Sequence, residues 1–427
     1  MRKYIGVCLA ACCCLNAAGF KIPEQSGDSI ALLNSNVATS FGPDAAYNNP
    51  ANMIFLDSGH YLESSLTYLR MSKTKYRHYN GDKLTSKRAN ALVPTFHFVT
   101  PQFDDWRFGL SVVVPAGMSM RWDERLPKAT SKKFDLKVIE VNPSVAYALT
   151  DNIALGFGLR AVYARGEAVQ EVSGALPASQ DIKGDRINFG YNAAITYKPT
   201  SNLSLAATYR SKVNMNLKGD TDISAPAHPR GLFPSGSYSG SAKLSVPLPA
   251  SLNLALSYKI ANTTLLFDFE RTYWSAWKEL DFNYPGTSAA HYRNPFFAAF
   301  DASKKRDWKD SNAYRIGVAH DATDKLRLMG AVTFDEAASR ADTTGFDLPD
   351  TKAVIYAAGF NYKFTDALEL GASYFYQDRK ERDVSYYSNA SGLYPNGKFE
   401  RGRGRYRGAR AKKRERRAGG RHDHAGS

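Results

Sequence analysis

Apolar and polar side chains alternate residue by residue along much of the chain. From Ile187 to Tyr197 every second position is apolar, and the positions between them hold Asn, Gly, Ala or Thr. Because successive side chains of a strand point to opposite faces, such a segment forms a strand with one apolar and one small or polar face. The same alternation returns from Leu203 to Leu217, which exceeds the length of an ordinary globular strand.

Several further segments share this alternation, and their second faces are rich in Gly, Ala, Ser, Asn and Arg. They are Ile153 to Tyr163, Leu252 to Ile260, Leu326 to Phe334, Val354 to Phe364 and Leu368 to Tyr376. A small, polar face suits a wet or plugged lumen better than a sandwich core. Tyr and Phe recur near segment ends, where they suit an interfacial aromatic girdle. The pattern predicts an all-β fold, a transmembrane antiparallel β-barrel.

Short and long connections alternate between these segments, as in outer-membrane barrels with short periplasmic turns and long outer loops. The short ones are Pro101 to Asp105, Thr150 to Asn152, Pro199 to Asn202, Ala261 to Thr263, Asp321 to Lys325 and Thr365 to Ala367. Counted from a first strand at His60 to Met71, six short turns and seven long loops predict fourteen strands. Thirteen are legible; the fourteenth, which should begin near Lys398, is not.

The segment from residue 18 to residue 59 has mixed polarity and no strand-like period. It is long enough to fold into the lumen as a plug. The predicted organisation is therefore a leader at 1–17, a plug at 18–59, a barrel at 60–398 and an atypical basic tail at 399–427.

The leader combines a charged start, Met1-Arg2-Lys3, with an apolar run from Tyr4 to Leu15 and small residues at the exit. This is the pattern of a secretory signal peptide cut after Ala17 or Ala18. Lipoprotein processing, with Cys12 lipidated, is the alternative. All four cysteines lie in this segment, so we expect a mature chain without a disulfide or a cysteine-ligated metal.

Composition narrows the class further. After residue 20 no run of about 18 apolar residues occurs, which excludes helical membrane spans. No HExxH, GxSxG or P-loop motif is present. The histidines outside the tail are scattered: His60, His78, His97, His228, His291 and His320. We expect neither an enzyme nor a cofactor or metal; a barrel hydrolase or protease with a site built from separated residues is the alternative.

Residues 399 to 427 differ from the rest of the chain. From Arg401 onward eleven Arg and Lys stand against two acids, which supplies +9 of the formal charge of +15. An Arg/Gly-rich basic tail is typical of nucleic-acid binding, but a signal peptide argues against that partner. We hypothesise a shifted reading frame or an altered terminus. Translation from near codon 399 in another frame should then give an alternating strand that ends in an aromatic residue.

Several short motifs follow one another in a fixed order along the chain. The expected mature start, Ala18-Gly19-Phe20, is followed by Tyr47-Asn48-Asn49-Pro50-Ala51. Further motifs in the barrel segments are Gly156-Phe157-Gly158, Phe189-Gly190-Tyr191-Asn192-Ala193, Thr208-Tyr209-Arg210-Ser211, Tyr273-Trp274-Ser275 and Ala313-Tyr314-Arg315-Ile316. In this order the motifs resemble those of the FadL-type transporters of long-chain fatty acids and other hydrophobic compounds. The resemblance runs from residue 18 to near residue 385 and excludes the tail.

The resemblance implies a fourteen-stranded barrel with an N-terminal hatch, in which it places Asn49, Pro50 and Ala51. Pro50 fixes φ and Asn49 can bond nearby backbone, so a defined turn is expected. An ordinary Asn-Pro turn is the alternative.

The resemblance also implies an inward kink in the third strand, a lateral opening through which an apolar substrate leaves. Here Pro115, Ala116 and Gly117 interrupt that strand. Proline cannot donate to a ladder and glycine weakens pairing. The alternative is that the strand ends at Val114.

A carboxylate head group would need a cation, and arginine can hold a carboxylate bidentately. Three arginines have lumen-facing parity: Arg160, Arg210 and Arg315. Alternatively these pair with hatch acids such as Glu24, Asp28 or Asp44. Lys309, beside Asp310, is a further candidate.

Loop aromatics are the candidates for a first, exposed apolar binding patch. The two clusters are Tyr292, Phe296, Phe297 and Phe300, and Leu232, Phe233 and Tyr238. Loop aromatics that are buried or dip into the membrane are the alternative.

Together these features predict a plugged, monomeric outer-membrane barrel that passes a hydrophobic small molecule by passive diffusion. Its partners would be that ligand, outer-membrane lipid and the barrel-assembly machinery, without nucleic acid. A general porin or an adhesin is the alternative: a porin would conduct ions steadily, and an adhesin would bind host cells.

Overall fold

Backbone pairing joins fourteen antiparallel strands into one closed ring, in which the last strand pairs with the first. The computed structural model describes residues 19–22, 25–388 and 392–415. Within them the strands are β1 (His60–Met71), β2 (Asn90–Val99), β3 (Trp106–Arg121), β4 (Lys133–Thr150), β5 (Ile153–Val172), β6 (Ala178–Tyr197), β7 (Leu203–Arg210 and Val213–Ser224), β8 (Tyr238–Leu248 and Ser251–Ile260), β9 (Thr263–Thr272), β10 (Ser311–Asp321), β11 (Leu326–Asp335), β12 (Ala353–Lys363), β13 (Leu368–Arg379) and β14 (Gly402–Glu415). The predicted fold class is confirmed, whereas the predicted leader with Cys12 lies outside the described residues.

Inward and outward side chains alternate along the strands, as predicted. On β1 the side chains of Leu62, Leu66 and Tyr68 are exposed on the outer face, while Glu63 and Thr67 are buried inside. An outer apolar face and a polar lumen suit a barrel whose outside meets acyl tails. Within the described residues no helix is long and apolar enough to cross a membrane.

The N-terminal segment lies inside the ring as two short helices and two 3-10 turns. They are α1 (Gly27–Ala31), the turn Ser35–Val37, α2 (Ala45–Asn48) and the turn Pro50–Phe55. A capping box starts α1, because Ser26 Oγ accepts from the Ser29 amide at 2.9 Å and Ser29 Oγ accepts from the Ser26 amide at 2.7 Å. We call the described part of residues 18–59 the hatch.

The strands β5 and β6 extend further toward the extracellular side than the alternation predicts. The alternating segment that begins at Ile153 is predicted to end at Tyr163, but β5 continues to Val172 and β6 begins at Ala178, so only a short turn joins the two strands. Charged residues on the outer face of these extensions end the apolar pattern, while backbone pairing continues.

Above the strands the outer loops build further structure. They contain α3 (Arg125–Ser131), α4 (Pro295–Asp301), the 3-10 turns Trp274–Ala276 and His291–Arg293, a small sheet of Lys75–His78, Lys83–Thr85, Arg382–Ser385 and Asn396–Phe399, the pair Glu279–Leu280 with Lys304–Lys305, and Phe282–Asn283, which adds to β8.

The basic segment after residue 399 contains the fourteenth strand, so the prediction of a strandless tail is wrong. β14 pairs with β13 on one edge and β1 on the other, which extends the barrel to residue 415. Its inward side chains include Tyr406 and Arg410, whereas Arg403, Arg405 and Arg407 face outward. This strand lacks the apolar alternation because its outward positions are cationic. Backbone hydrogen bonds to the neighbouring strand on each edge hold it in the barrel. Residues 416–427 lie outside the described residues, and the frame hypothesis stays a prediction.

Candidate functional site

The third strand does not end at Val114; it continues to Arg121 through a bulge. The register with β4 shifts between Val113 and Ala116, so two residues of β3 oppose one residue of β4. On its other edge β3 pairs with β2 only from Gly109 to Val112. Beyond Val112 the two strands separate and leave a gap in the wall.

The N-terminal segment occupies the edge of β3 that β2 leaves. Lys21 forms an antiparallel bridge with Ala116. The Ile22 amide donates to the Pro115 carbonyl at 2.9 Å, and the Gly117 amide donates to the Phe20 carbonyl at 3.0 Å. Residues 20–22 of the hatch thus act as a surrogate strand, which satisfies backbone groups that would otherwise be unpaired beside lipid.

A side chain extends this pairing. Gln25 accepts from the Val114 amide through Oε1 at 2.9 Å and donates to the Val114 carbonyl through Nε2 at 2.9 Å. An amide side chain has the same donor and acceptor pair as a peptide group, so Gln25 substitutes for one more residue of a neighbouring strand.

Phe20, the first residue of the surrogate strand, has its side chain in a box of three indole rings. Its ring centroid is 5.0 Å from that of Trp274 and 5.6 Å from that of Trp277, and Trp308 closes the box at 5.0 Å and 4.7 Å from these two. Within the described residues none of the three indole N–H groups has a hydrogen-bond partner. Phe20 and the three tryptophans are almost fully buried. The box is the centre of the largest apolar cluster of the molecule, which continues to Phe134, Met118 and Leu248.

The predicted loop patch is partly inside this cluster instead of on the surface. Phe297 and Phe300 of α4 are buried in it, and Phe296 packs against it half-buried. The ring centroids of Phe233 and Phe296 are 6.2 Å apart, while the side chains of Leu232 and Tyr292 are exposed. The polarity pattern of the sequence does not show which loop aromatics become buried when the loops fold.

The three lumen arginines are buried or half-buried and bind acids of the barrel wall. Glu140 accepts from Arg160 at 2.9 and 2.8 Å and from Arg210 at 3.3 Å. Arg315 donates to Asp268 at 2.5 Å and Glu270 at 2.9 Å. The alternative pairing with the hatch acids Asp28 and Asp44 is therefore wrong, because wall acids on adjacent strands lie nearer and Asp28 binds Arg410. Glu24, the third hatch acid named, lies outside the described residues.

Two of the candidate cations behave differently. Arg210 also reaches the hatch: its guanidinium donates to the Tyr47 carbonyl and lies 3.7 Å from the Tyr47 ring centroid. Lys309 is exposed in the loop before β10, away from the arginines, and Asp310 accepts instead from the Ser275 amide and Arg271.

Asn49, Pro50 and Ala51 dock the hatch against β5 and β6. Asn49 Oδ1 accepts from the Ala51 amide at 3.1 Å, and its Nδ2 donates to Thr196 at 2.9 Å. A Cβ at Gly156 would lie 2.3 Å from the Ala51 nitrogen, so only glycine permits this approach. The turn is thus a wall contact and more than a local Asn-Pro turn.

A buried ionic cluster that the sequence did not predict joins the hatch to the last strand. Arg410 binds Asp28 and has Glu63 at 3.1 Å and Glu369 at 3.3 Å. Burial, with repulsion from Asp28 second, raises the pKa of Asp44 to about 6. The sequence signal that could have found Arg410 is its parity, because it shares the inward face of the strand with Tyr406 and Gly408.

Two known proteins are similar in sequence to this chain over most of its length. Outer membrane protein P1 of Haemophilus influenzae is 24% identical over 86% of this chain and 87% of its own length. The long-chain fatty acid transport protein of Escherichia coli O6:H1 is 23% identical over 84% of this chain and 87% of its own length.

Solved structures agree with the barrel. A FadL homologue from Pseudomonas aeruginosa superposes with a TM-score of 0.79 at 21% identity, covering 93% of this chain and 99% of that one. The Pseudomonas putida toluene transporter TodX gives 0.70 at 17% identity over 92% and 98%. Residues 8–405 match the family described as outer membrane protein transport protein (OMPP1/FadL/TodX). The chain is a member of this family and therefore an outer-membrane protein.

Proposed function

We propose that the protein transports a hydrophobic small molecule across the outer membrane by passive diffusion, with a lateral exit at the gap beside Pro115, Ala116 and Gly117. The observation that carries this proposal is the surrogate strand. The gap is closed on the inside by residues 20–22 and Gln25 of the hatch, which bind β3 without being part of the barrel wall.

The route begins at the aromatic box. An apolar ligand that enters from the outer loops competes with Phe20 for the box of Trp274, Trp277 and Trp308. An acyl chain gains about 0.8 kcal/mol for each buried methylene, so a long chain can replace one phenyl ring. Displacement of Phe20 withdraws Lys21 and Ile22 from β3 and opens the gap to lipid.

The cations of the lumen have a smaller part in this scheme than their lumen-facing parity suggests. Arg160 and Arg315 are neutralised by buried acids. Lys21 also has an acidic partner, Glu270, and Thr272 at 3.2 Å. A ligand carboxylate would bind Lys21 as the hatch withdraws and would replace Glu270 there.

The names of the relatives support two ligand classes. The relative from E. coli is named for long-chain fatty acids, and TodX is a toluene transporter. The box and its surroundings are apolar, which suits either an acyl chain or an aromatic hydrocarbon.

Uptake tests this proposal. Labelled oleate and labelled toluene are supplied to cells that lack the gene, cells that express it and cells that express the double variant A116V/G117V. The control A161V also introduces a valine side chain, on the outer face of β5 and away from the gap. Heat-modifiable mobility on gels shows that each barrel is assembled.

We expect uptake with the wild type and A161V and a loss with A116V/G117V. Equal uptake in all cells, with every barrel assembled, overturns transport. Steady ion conductance of the purified protein in a planar bilayer would support a porin instead.

A further inference from the structure

An open cleft of about 670 Å³ lies where the extracellular ends of β2, β3, β4 and β5 meet. Its charged lining comprises the cations Lys87, Arg88, Arg121, Lys133, Lys137 and Arg165 and the acids Asp123, Asp135 and Glu167. We propose that this cleft binds the phosphate-bearing head group of a glycolipid in the outer leaflet. The cleft adjoins the proposed lateral exit at Gly117, but its binding of lipid does not rest on the proposed function.

Strand parity places the cleft on the outside of the barrel. On β5 the outward side chains Leu155, Phe157 and Leu159 are exposed and apolar, and the apolar series ends at Tyr163. The next outward residue is Arg165. Aromatic residues mark the membrane interface, so Arg165 stands at the level where lipid head groups begin.

Strand register puts Lys137 at the same level. Ile139 of β4 faces Tyr163 directly, and Lys137 faces Arg165. On the other side of Lys137 lies Gly117, which has no side chain to fill the space. Two cations in direct opposition destabilise adjacent strands unless an anion lies between them.

The three acids of the cleft are already paired with three of its own six cations. Lys87 pairs with Asp123 at 2.5 Å, Arg121 with Asp135 at 3.4 Å and Lys133 with Glu167 at 2.5 Å. In the part of the chain that the structure describes, Arg88, Lys137 and Arg165 form no ion pair. Asp185 of β6 lies opposite Arg165 on the far edge, and it also forms none.

Other outward lysines at this level lack such a surplus of positive charge. On β6 and β7, Lys183 faces Asp220 and Lys218 faces Asp185. Lys183 also pairs with Asp181 at 3.1 Å. The excess of cations over acids, six to three, therefore distinguishes the cleft from β6 and β7, where Lys183 and Lys218 stand among at least as many acids.

The position of the cleft selects a lipid over a soluble anion. Phosphate oxygens accept hydrogen bonds from both lysine and arginine. A glycolipid phosphate held between Lys137 and Arg165 would leave its acyl chains along Leu159, Ala161 and Tyr163, directly below on β5. A free phosphate would gain nothing from that apolar face.

The test counts bound lipid on the full-length protein in phosphatidylcholine nanodiscs by native mass spectrometry. The added probes are diphosphoryl lipid A, lipid A with both phosphates removed, and inorganic phosphate. The variant is K137Q/R165Q, and the matched control is K183Q/K218Q, which removes two outward lysines that face acids. Gel mobility confirms assembly.

We expect diphosphoryl lipid A to bind the wild type and the control equally, and K137Q/R165Q to bind it about 30-fold more weakly. Dephosphorylated lipid A should bind as weakly to the wild type as diphosphoryl lipid A binds to the variant. Equal binding by wild type and K137Q/R165Q, or an equal loss in the control, overturns the site. Displacement of the lipid by inorganic phosphate at comparable concentration assigns the cleft to a soluble anion and overturns the lipid proposal.

Discussion

Asp28 of the hatch and Arg410 of β14 form a buried ion pair that connects the plug to the strand that closes the barrel. Asn361 donates to the same Asp28 oxygen at 2.7 Å, and Glu63 and Glu369 lie beside the guanidinium. One cation therefore balances acids from the hatch, β1 and β13. Closure of the ring and seating of the hatch depend on the same side chain.

Replacement of Arg410 by Met should destabilise the folded protein by about 3–5 kcal/mol, because it leaves buried carboxylates without their cation. The measurement is the thermal unfolding midpoint in detergent, with gel mobility as the readout of the barrel. The matched control is R403M, which removes an outward arginine from the rim of the same strand. An unfolding midpoint equal to that of the wild type would remove Arg410 from this role.

The outward arginines of β14 should be unfavourable. Arg407 lies between Tyr68 of β1 and Tyr374 of β13, both exposed outward aromatics. A charged residue on the lipid face costs about 0–1 kcal/mol near the interface and about 2–4 kcal/mol at the midplane. We expect R407L to stabilise the inserted barrel by about 1 kcal/mol. The denaturant midpoint in lipid vesicles measures this, with R403L at the rim as the control; a destabilised R407L contradicts it.

The alternation alone predicts the barrel, because one face of each strand meets lipid and the other meets the lumen. The polarity of each residue therefore indicates the face on which it lies. It also locates the interruption at Pro115, since proline is a local signal. It fails at β14, where arginines occupy the lipid face. It also fails to give the partners of Arg160 and Arg315, because wall neighbours are set by strand register. The box around Phe20 needs Trp274, Trp277 and Trp308 from the two ends of the long loop between β9 and β10, which only the folded chain brings together.

Asp44 should make the hatch more stable in mild acid. Its pKa in the folded protein is raised to about 6, so the folded state takes up a proton at a higher pH than the unfolded state. The contribution of Asp44 to stability therefore increases as the pH falls through 6 and decreases as it rises. Unfolding midpoints of the wild type and D44N are measured from pH 7.5 to pH 5. The difference between them should move in favour of the wild type at low pH; a constant difference contradicts the assignment.

Phe20 should control how firmly the surrogate strand is held on β3. Its ring is fully buried among three indoles, and its carbonyl accepts from the Gly117 amide. Loss of a buried phenyl ring costs about 3–5 kcal/mol, which is enough to detach the segment locally if the barrel itself is stable. In F20A the amides of Ile22 and Gly117 should exchange with deuterium at least about tenfold faster than in the wild type, because their acceptors are on the partner segments.

The control for this experiment is F55A, which removes a phenyl ring from the other end of the hatch. There the Lys198 ammonium lies 4.0 Å from the centroid of the Phe55 ring. Amides in the middle of β5 and β6 serve as internal references, since their ladder is far from the segment. If F20A leaves the exchange of Ile22 and Gly117 unchanged, the box does not hold the segment. If F55A accelerates these two amides as much as F20A does, the hatch loosens as one unit and Phe20 has no special part in closing the gap.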